Sequence, residues 1–420
     1  RGEVLTSEMA RRGLALPLLI GGATTSRQHT AVKIAPEYAE STVYVADASR
    51  VVDVVASLRS AERRPSFDDA NRQDQAALRE QYASRSKRPL QSYTDALEHR
   101  VRIDWAATEV PVPSFTGRRE VTVLIGDLVP FIDWTYFFAA WELKGRFPAI
   151  LDHPLKGQAA RDLYGHATAL LDRIDRERLL TARGVYGFWP VNSDGDDVVV
   201  RAPEVNHVGR QAPEVLRFNM LRQQQMTDSR TSCSLADFIA PTESGVVDYL
   251  GAFAVTAGLG VNDLVARYEQ DHDDYHAIMV KALADRLAEA FAEFLHARAR
   301  REWGYGGDER LTNEALISER YRGIRPAFGY PACPDHSEKF KLFDLLEARG
   351  VGIDLTESAA MTPASSVSGL YFAHPEARYF TVGRIGRDQL ESYAARKGMS
   401  IGDVERWLSA NLGEETNRAR

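Results

Sequence analysis

"DDYHAIMVKALADRLAEAFAEFLHARARREW", residues 273–303, is the longest regular pattern in the chain. Met279, Leu283, Leu287, Ala290, Phe291, Phe294 and Leu295 recur at helical spacing, so the stretch predicts one long amphipathic helix. Asp273 and Asp274 at its start and Arg298, Arg300 and Arg301 at its end match the helix dipole. On either side lie strand-like segments. "GVYGFWPVNSDGDDVVVRA" (184–202) reads as two strands joined by an Asn-Ser-Asp-Gly-Asp turn. "ASSVSGLYFAHPEARYFTVGRIGRDQLESYAARKGMS" (364–400) reads as two strands around a His-Pro turn, then a helix. Together these elements predict an α+β domain with a mostly antiparallel sheet.

The N-terminal part has a different rhythm. "LALPLLIGGATTS" (14–26) is an apolar run ending in Gly-Gly and small hydroxyl residues, which predicts a strand and a ligand-friendly loop. "STVYVADASRVVDVVASLRS" (41–60) repeats the scheme: a strand at 42–46, Asp47-Ala48-Ser49 as a cap, a helix at 50–59. Alternating strand and helix predicts a parallel, Rossmann-like α/β sheet with ligands at the C-terminal strand ends, although ordinary tight turns have the same composition. The segment is too short for a whole doubly wound domain. With no initiator Met, the chain reads as a piece of something longer. Residues 61–93 are polar, with a solvated helix in the middle and a linker near Ser84–Pro89, where a domain boundary is expected.

Composition excludes several classes. A net charge of −7 lacks the basic surface of a nucleic-acid binder. No apolar window approaches the ~18 residues of a membrane span. The start, "RGEVLTSEMARRG", is not a signal peptide. Two cysteines, Cys233 and Cys333, fit a reducing cytoplasm rather than a disulfide scaffold. There is no Walker loop, G-x-S-x-G or H-E-x-x-H. "TAGLGVND" (256–263) lacks the third glycine of a nucleotide fingerprint and reads as a turn. His272 and His296 read as surface or packed residues.

Two constellations remain. Asp133, alone in "FIDWTYFFAAWEL" (131–143), either caps a helix or receives a cation, and the two roles are compatible. "RPAFGYPACPDHSEK" (325–339) carries three prolines, and Arg325 before Pro326 is biased to extended backbone. Cys333 and His336 look like half a metal site, but no further ligands are spaced to complete it. The alternatives are a structural surface loop and a rigid clamp in which Arg325 holds a small carboxylate.

These motifs, with "PLLIGGATTSRQHTAVKIAPEY" (17–38), "HDDYHAIMVKALADRLAEAFAEFLHARARREWGY" (272–305) and "SVSGLYFAHPEARYF" (366–380), resemble the cobalamin-dependent methionine synthases along essentially the whole chain. The resemblance implies that 1–83 is the C-terminal part of a cobalamin-binding domain with a linker helix. It implies that 84–420 is the S-adenosylmethionine-binding activation domain. The implied activity is methyl transfer from methyltetrahydrofolate to homocysteine. This region would restore methylcobalamin from cob(II)alamin, with flavodoxin or another reductase as electron donor and the protein's own upstream cobalamin domain as partner. A non-catalytic S-adenosylmethionine-binding or reductase-docking module is the alternative. By resemblance Asp133, Arg325, Tyr379 and Phe380 hold S-adenosylmethionine, with Phe380 standing where the family commonly has Tyr. Glu319 could face the sulfonium. Gly21, Gly22, Thr24, Ser26 and Ala48 surround the cobalamin nucleotide tail. The cobalt-ligating histidine of the D-x-H-x-x-G motif lies upstream of this chain, as does the family's zinc domain, so the fragment is not expected to make methionine alone. No catalytic side chain and no metal site is expected within it. Location is expected to be cytoplasmic.

Overall fold

The computed structural model describes residues 9, 14–21, 27–45, 51–86, 89–203, 212–226, 231–312, 315–316 and 318–412. The chain divides into two compact units, Arg1–Pro89 and Leu90–Arg420.

In the first unit, β1 (Leu18–Ile20) and β2 (Thr42–Tyr44) pair in parallel, from Leu18 opposite Thr42 to Ile20 opposite Tyr44. The helices α1 (Val51–Arg59) and α2 (Arg64–Ser86) follow. Val43, Val45 and Leu58 are buried together, with Leu19, Val54 and Phe67 packed against them. Although polar in composition, α2 is anchored: the amide of buried Gln75 donates to the Thr42 carbonyl at 2.6 Å.

The second unit is built on a six-stranded sheet. Its strands are β3 (Gly117–Val123), β4 (Thr181–Asp194), β5 (Asp197–Arg201), β6 (Glu214–Asn219), β7 (Asp248–Leu259) and β8 (Ser366–Tyr371). The order is β8-β7-β4-β5-β6, with β3 also beside β4, and every pair is antiparallel. The expected fold class holds in both units, a parallel pair followed by an antiparallel α+β domain. The β4–β5 turn is tighter than the sequence pattern implies. Asn192 and Ser193 stay in β4 because their side chains are satisfied, by the carbonyls of Ala240 and Val246 for Asn192 and of Ile239 for Ser193.

Strand alternation sends side chains into two cores. Tyr186, Phe188, Phe253, Val255 and Tyr371 face a layer of helices; Val185, Trp189, Leu250, Ala252 and Leu370 face the other way. On the first face lie α3 (Trp134–Ala140), α4 (Gly157–Glu177), α5 (Val261–Gln270) and α6 (Asp274–Glu302). The expected face of α6 is buried, with Phe294 at its margin. Asp273 caps it by accepting from the His276 amide at 3.0 Å. Arg300, however, does not end the helix in solvent. It is 1% exposed, donates from Nε to Glu309 at 2.8 Å, and its guanidinium lies 4.3 Å from the Tyr321 ring centroid.

The second face is covered by the 324–336 loop and by α7 (Glu338–Leu346). Residues 377–384 form no strand, contrary to the alternation in "ARYFTVGR". Their backbone serves the loop instead, the Val382 amide donating to the Pro331 carbonyl at 2.8 Å. α8 (Arg387–Lys397) follows as expected. No helix among the described residues is long and apolar enough to cross a membrane.

Candidate functional site

The stretch from Ile324 continues the sheet past β8. Ile324 exchanges backbone hydrogen bonds with Phe372, and the Pro326 carbonyl accepts from the Leu370 amide at 2.9 Å. Glycine makes this approach possible, since a Cβ on Gly369 would stand 2.6 Å from the Pro326 oxygen. Ile324 joins the loop-side core, whereas the side chain of its neighbour Arg325 reaches Glu293 on α6.

Beyond Pro326 the chain closes a tight turn. The Gly329 amide donates to the Cys333 carbonyl at 2.8 Å and the Cys333 amide to the Tyr330 carbonyl at 3.0 Å. The Cys333 thiol donates to the Ala327 carbonyl at 3.0 Å. Gly329 has φ +95°, and the His336 ring occupies the space a Cβ would need. Burial pushes the Cys333 thiol up, in keeping with its role as a hydrogen-bond donor within the turn. Cys333 and His336 therefore shape backbone. Among the described residues no three of His, Cys, Asp and Glu converge as a metal-ligand set.

Loop, sheet edge and α6 enclose a cavity of about 530 Å³. Arg325, Glu319, Tyr379 and Phe380 line it, with Glu289 from α6 and Tyr330 from the turn. The Tyr379 hydroxyl accepts from the Arg325 backbone amide at 2.9 Å. Glu319, held at φ +53°, has its carboxyl raised by burial against the opposing pull of Arg325. Phe380 packs its ring into the neighbouring cores. The loop is anchored at its start and exposed at its turn: the Arg325 side chain is 13% exposed and its partner Glu293 17%, whereas Tyr330 is 64% exposed. Nη1 of Arg325 and Oε2 of Glu293 are buried without a protein partner.

Beneath the cavity three rings are stacked. Phe253, in the cavity wall, lies parallel to Tyr371 at 4.7 Å, and Tyr371 parallel to His296 at 4.8 Å. His296 is fully buried, so desolvation, reinforced by Arg325 and Arg300, holds its pKa well below the usual value. A neutral imidazole adds no positive charge beside Arg325.

Of the residues named from sequence, the structure brings Arg325, Tyr379, Phe380 and Glu319 together. Asp133 is not in the cavity wall; its carboxylate caps α3, accepting from the Thr135 amide at 2.9 Å. Gly21 is exposed, with the Val45 carbonyl 3.1 Å from where its Cβ would stand. Gly22, Thr24, Ser26 and Ala48 lie outside the described residues. Glu289, Glu293, Tyr330 and Lys339 were not singled out from sequence. For the two glutamates a signal existed: they stand four residues apart and so share one face of α6.

An antiparallel sheet with a layer of helices on one face, a loop and α7 on the other, and a ligand-sized, mixed-charge cavity gives an α+β domain with a candidate small-molecule site. The family model described as vitamin B12 dependent methionine synthase, activation domain, matches residues 124–398. A solved structure described as "Crystal Structure of the MetH Reactivation Domain bound to AdoHcy" is 47% identical with a TM-score of 0.74, covering 77% of this chain and 99% of that one. The chain belongs to the family of vitamin B12-dependent methionine synthase activation domains.

Proposed function

We propose that the cavity behind Arg325 binds S-adenosylmethionine, and that the chain, as part of a cobalamin-dependent methionine synthase, supports reductive methylation of cob(II)alamin to methylcobalamin. The single observation that carries this reading is the composition of the cavity, in a fold shared with a reactivation domain that holds AdoHcy. A partnerless guanidinium nitrogen on Arg325 suits the ligand carboxylate. Glu289 and Glu319 suit its ammonium and sulfonium, and the rings of Tyr379 and Phe380 supply apolar wall. Asp133 is retained as a ligand group for the ammonium only if its cap can be shared.

The chain's own contribution is positioning and exclusion of water. The buried Glu293 holds the Arg325 fork, the Tyr379 hydroxyl holds the Arg325 backbone, and the turn at Gly329–Cys333 closes the wall. In this reading residues 1–83 are the end of the cobalamin-binding domain. Cobalamin, when bound, supplies the cobalt that accepts the methyl group. Gly21 fits a close backbone approach by the nucleotide tail, being exposed and without a Cβ. The electron would come from flavodoxin or another reductase, in the cytoplasm.

Titration calorimetry with S-adenosylmethionine and S-adenosylhomocysteine tests the binding, and saturable heat is expected with both. Absence of binding would remove the reading. Adding the cobalamin-loaded upstream domain and a reduced flavodoxin should then produce the methylcobalamin spectrum only when S-adenosylmethionine is present.

A further inference from the structure

One cation of the cavity wall has no role so far. Lys339, the first-turn residue of α7 that follows the turn, lines the cavity yet is 8% exposed. Among the described residues no carboxylate pairs with it, unlike Arg325. Its Nζ contacts two acceptors, His336 Nδ1 at 3.1 Å and the Ala359 carbonyl at 3.3 Å. An ammonium has three N–H groups and no acceptor capacity, so one donor is left over. A buried ammonium with an unused donor and no counter-charge is unfavourable unless something accepts from it. Burial lowers the pKa of both Lys339 and His336, which keeps the imidazole neutral and able to accept.

The surroundings say which part of a ligand this is. Arg325, Glu289 and Glu319 gather the charges. The cavity residues Phe328 and Ala332 are themselves 2% and 4% exposed and belong to the loop-side core, against which Met361 packs. Lys339 lies beside Cys333, a member of that same core. A purine offers flat apolar faces and ring nitrogens that accept hydrogen bonds in its plane.

We infer that Lys339 is the residue that reads the adenine of the ligand, donating its remaining N–H to a purine ring nitrogen. This rests on the S-adenosylmethionine reading above and deepens it: the cavity is divided into an amino-acid end at Arg325 and a purine end at Lys339. The ligand class is thereby narrowed to adenosyl sulfonium and thioether compounds, and methionine alone lacks the contact.

The test is a cycle between protein and ligand. S-adenosylhomocysteine and analogues in which one purine ring nitrogen at a time is replaced by CH are titrated into the parent chain and into Lys339→Met. In the parent, one analogue should bind about tenfold or more weakly, the loss expected for a hydrogen bond to a charged group. In Lys339→Met, that analogue and S-adenosylhomocysteine should bind equally. A penalty that persists in Lys339→Met overturns the inference, as does a parent that discriminates against none of the analogues. A parent that fails to bind S-adenosylhomocysteine at all defeats the functional reading itself. Should Lys339→Met fail to fold, the same cycle is run with Lys339→Gln, and a ligand lacking the carboxylate is added to it. If that loss of carboxylate is what Lys339→Gln no longer senses, Lys339 holds the amino-acid end and the assignment is wrong.

Discussion

Arg325 and Glu293 form a largely buried ion pair, 13% and 17% exposed, across 32 residues of sequence, joining the cavity loop to the long helix α6. The residue best placed to meet a ligand carboxylate is therefore also a structural cation. Binding and stability at this position have to be separated by the choice of substitution.

Arg325→Ala leaves a largely buried Glu293 unpaired, a change expected to destabilise by up to about 3 kcal/mol, the lower end for a buried pair. Arg325→Lys keeps the charge but lacks the planar fork. It should hold most of the thermal midpoint while losing about tenfold to a hundredfold in affinity for S-adenosylhomocysteine. Denaturation midpoints and calorimetry on the same preparations check both halves. If the lysine variant binds like the parent, Arg325 does not hold the ligand.

Asp133 separates in the same way. As the cap of α3 it should tolerate Asn, whereas Asp133→Ala should lose roughly 1 kcal/mol of stability. If it also holds the ligand ammonium, Asp133→Asn will weaken S-adenosylhomocysteine with an unchanged melting point. Equal affinity in parent and Asn variant would leave Asp133 as a cap alone.

Gly329→Ala meets two obstacles, a positive φ of +95° and the His336 ring. Backbone strain of about 1–3 kcal/mol is expected, with a similar further amount from crowding the ring. Adding His336→Ala should recover the second part and leave the first. Recovery of the whole loss would show that the backbone there accepts a side chain freely.

Asp248, at the start of β7, is buried with its carboxylate accepting from the Ala240 and Tyr249 amides at 3.0 and 2.7 Å. Burial outweighs those bonds and raises its pKa from 3.8 to about 6. The folded state therefore keeps a proton that the unfolded chain has released. This stabilising contribution is full below the unfolded pKa and is lost as pH rises through about 6. Two units correspond to about 3 kcal/mol. Urea denaturation from acid to neutral pH should show this decline in the parent relative to Asp248→Ala. Parallel curves for the two proteins would contradict the assignment.

Local pattern was enough for much of this protein. The 3.6-residue spacing from Met279 to Leu295 defined the buried face of α6. Asp133 before an aromatic helix announced its cap, and the Asp-Gly turn after Asn192 announced a hairpin. Each is a matter of backbone geometry within a few residues, where hydrogen-bonding groups and side-chain direction depend on nearest neighbours. The motif at 325–339 carried the family and pointed to the cavity. Tertiary structure decided what those residues meet. "ARYFTVGR" has the alternation of a strand, but its backbone amide at Val382 is used by Pro331. Arg300 ends a helix in sequence and lies inside the core in space, because Glu309 and Tyr321 receive it there. Arg325 and Lys339 are both cations of one short loop and helix start; one is neutralised by Glu293 and the other has no carboxylate among the described residues. Burial and counter-charge come from partners beyond the local turn, nine residues away for Arg300 and 32 for Arg325, and it is these that set whether a charged side chain is a scaffold, a ligand group or both.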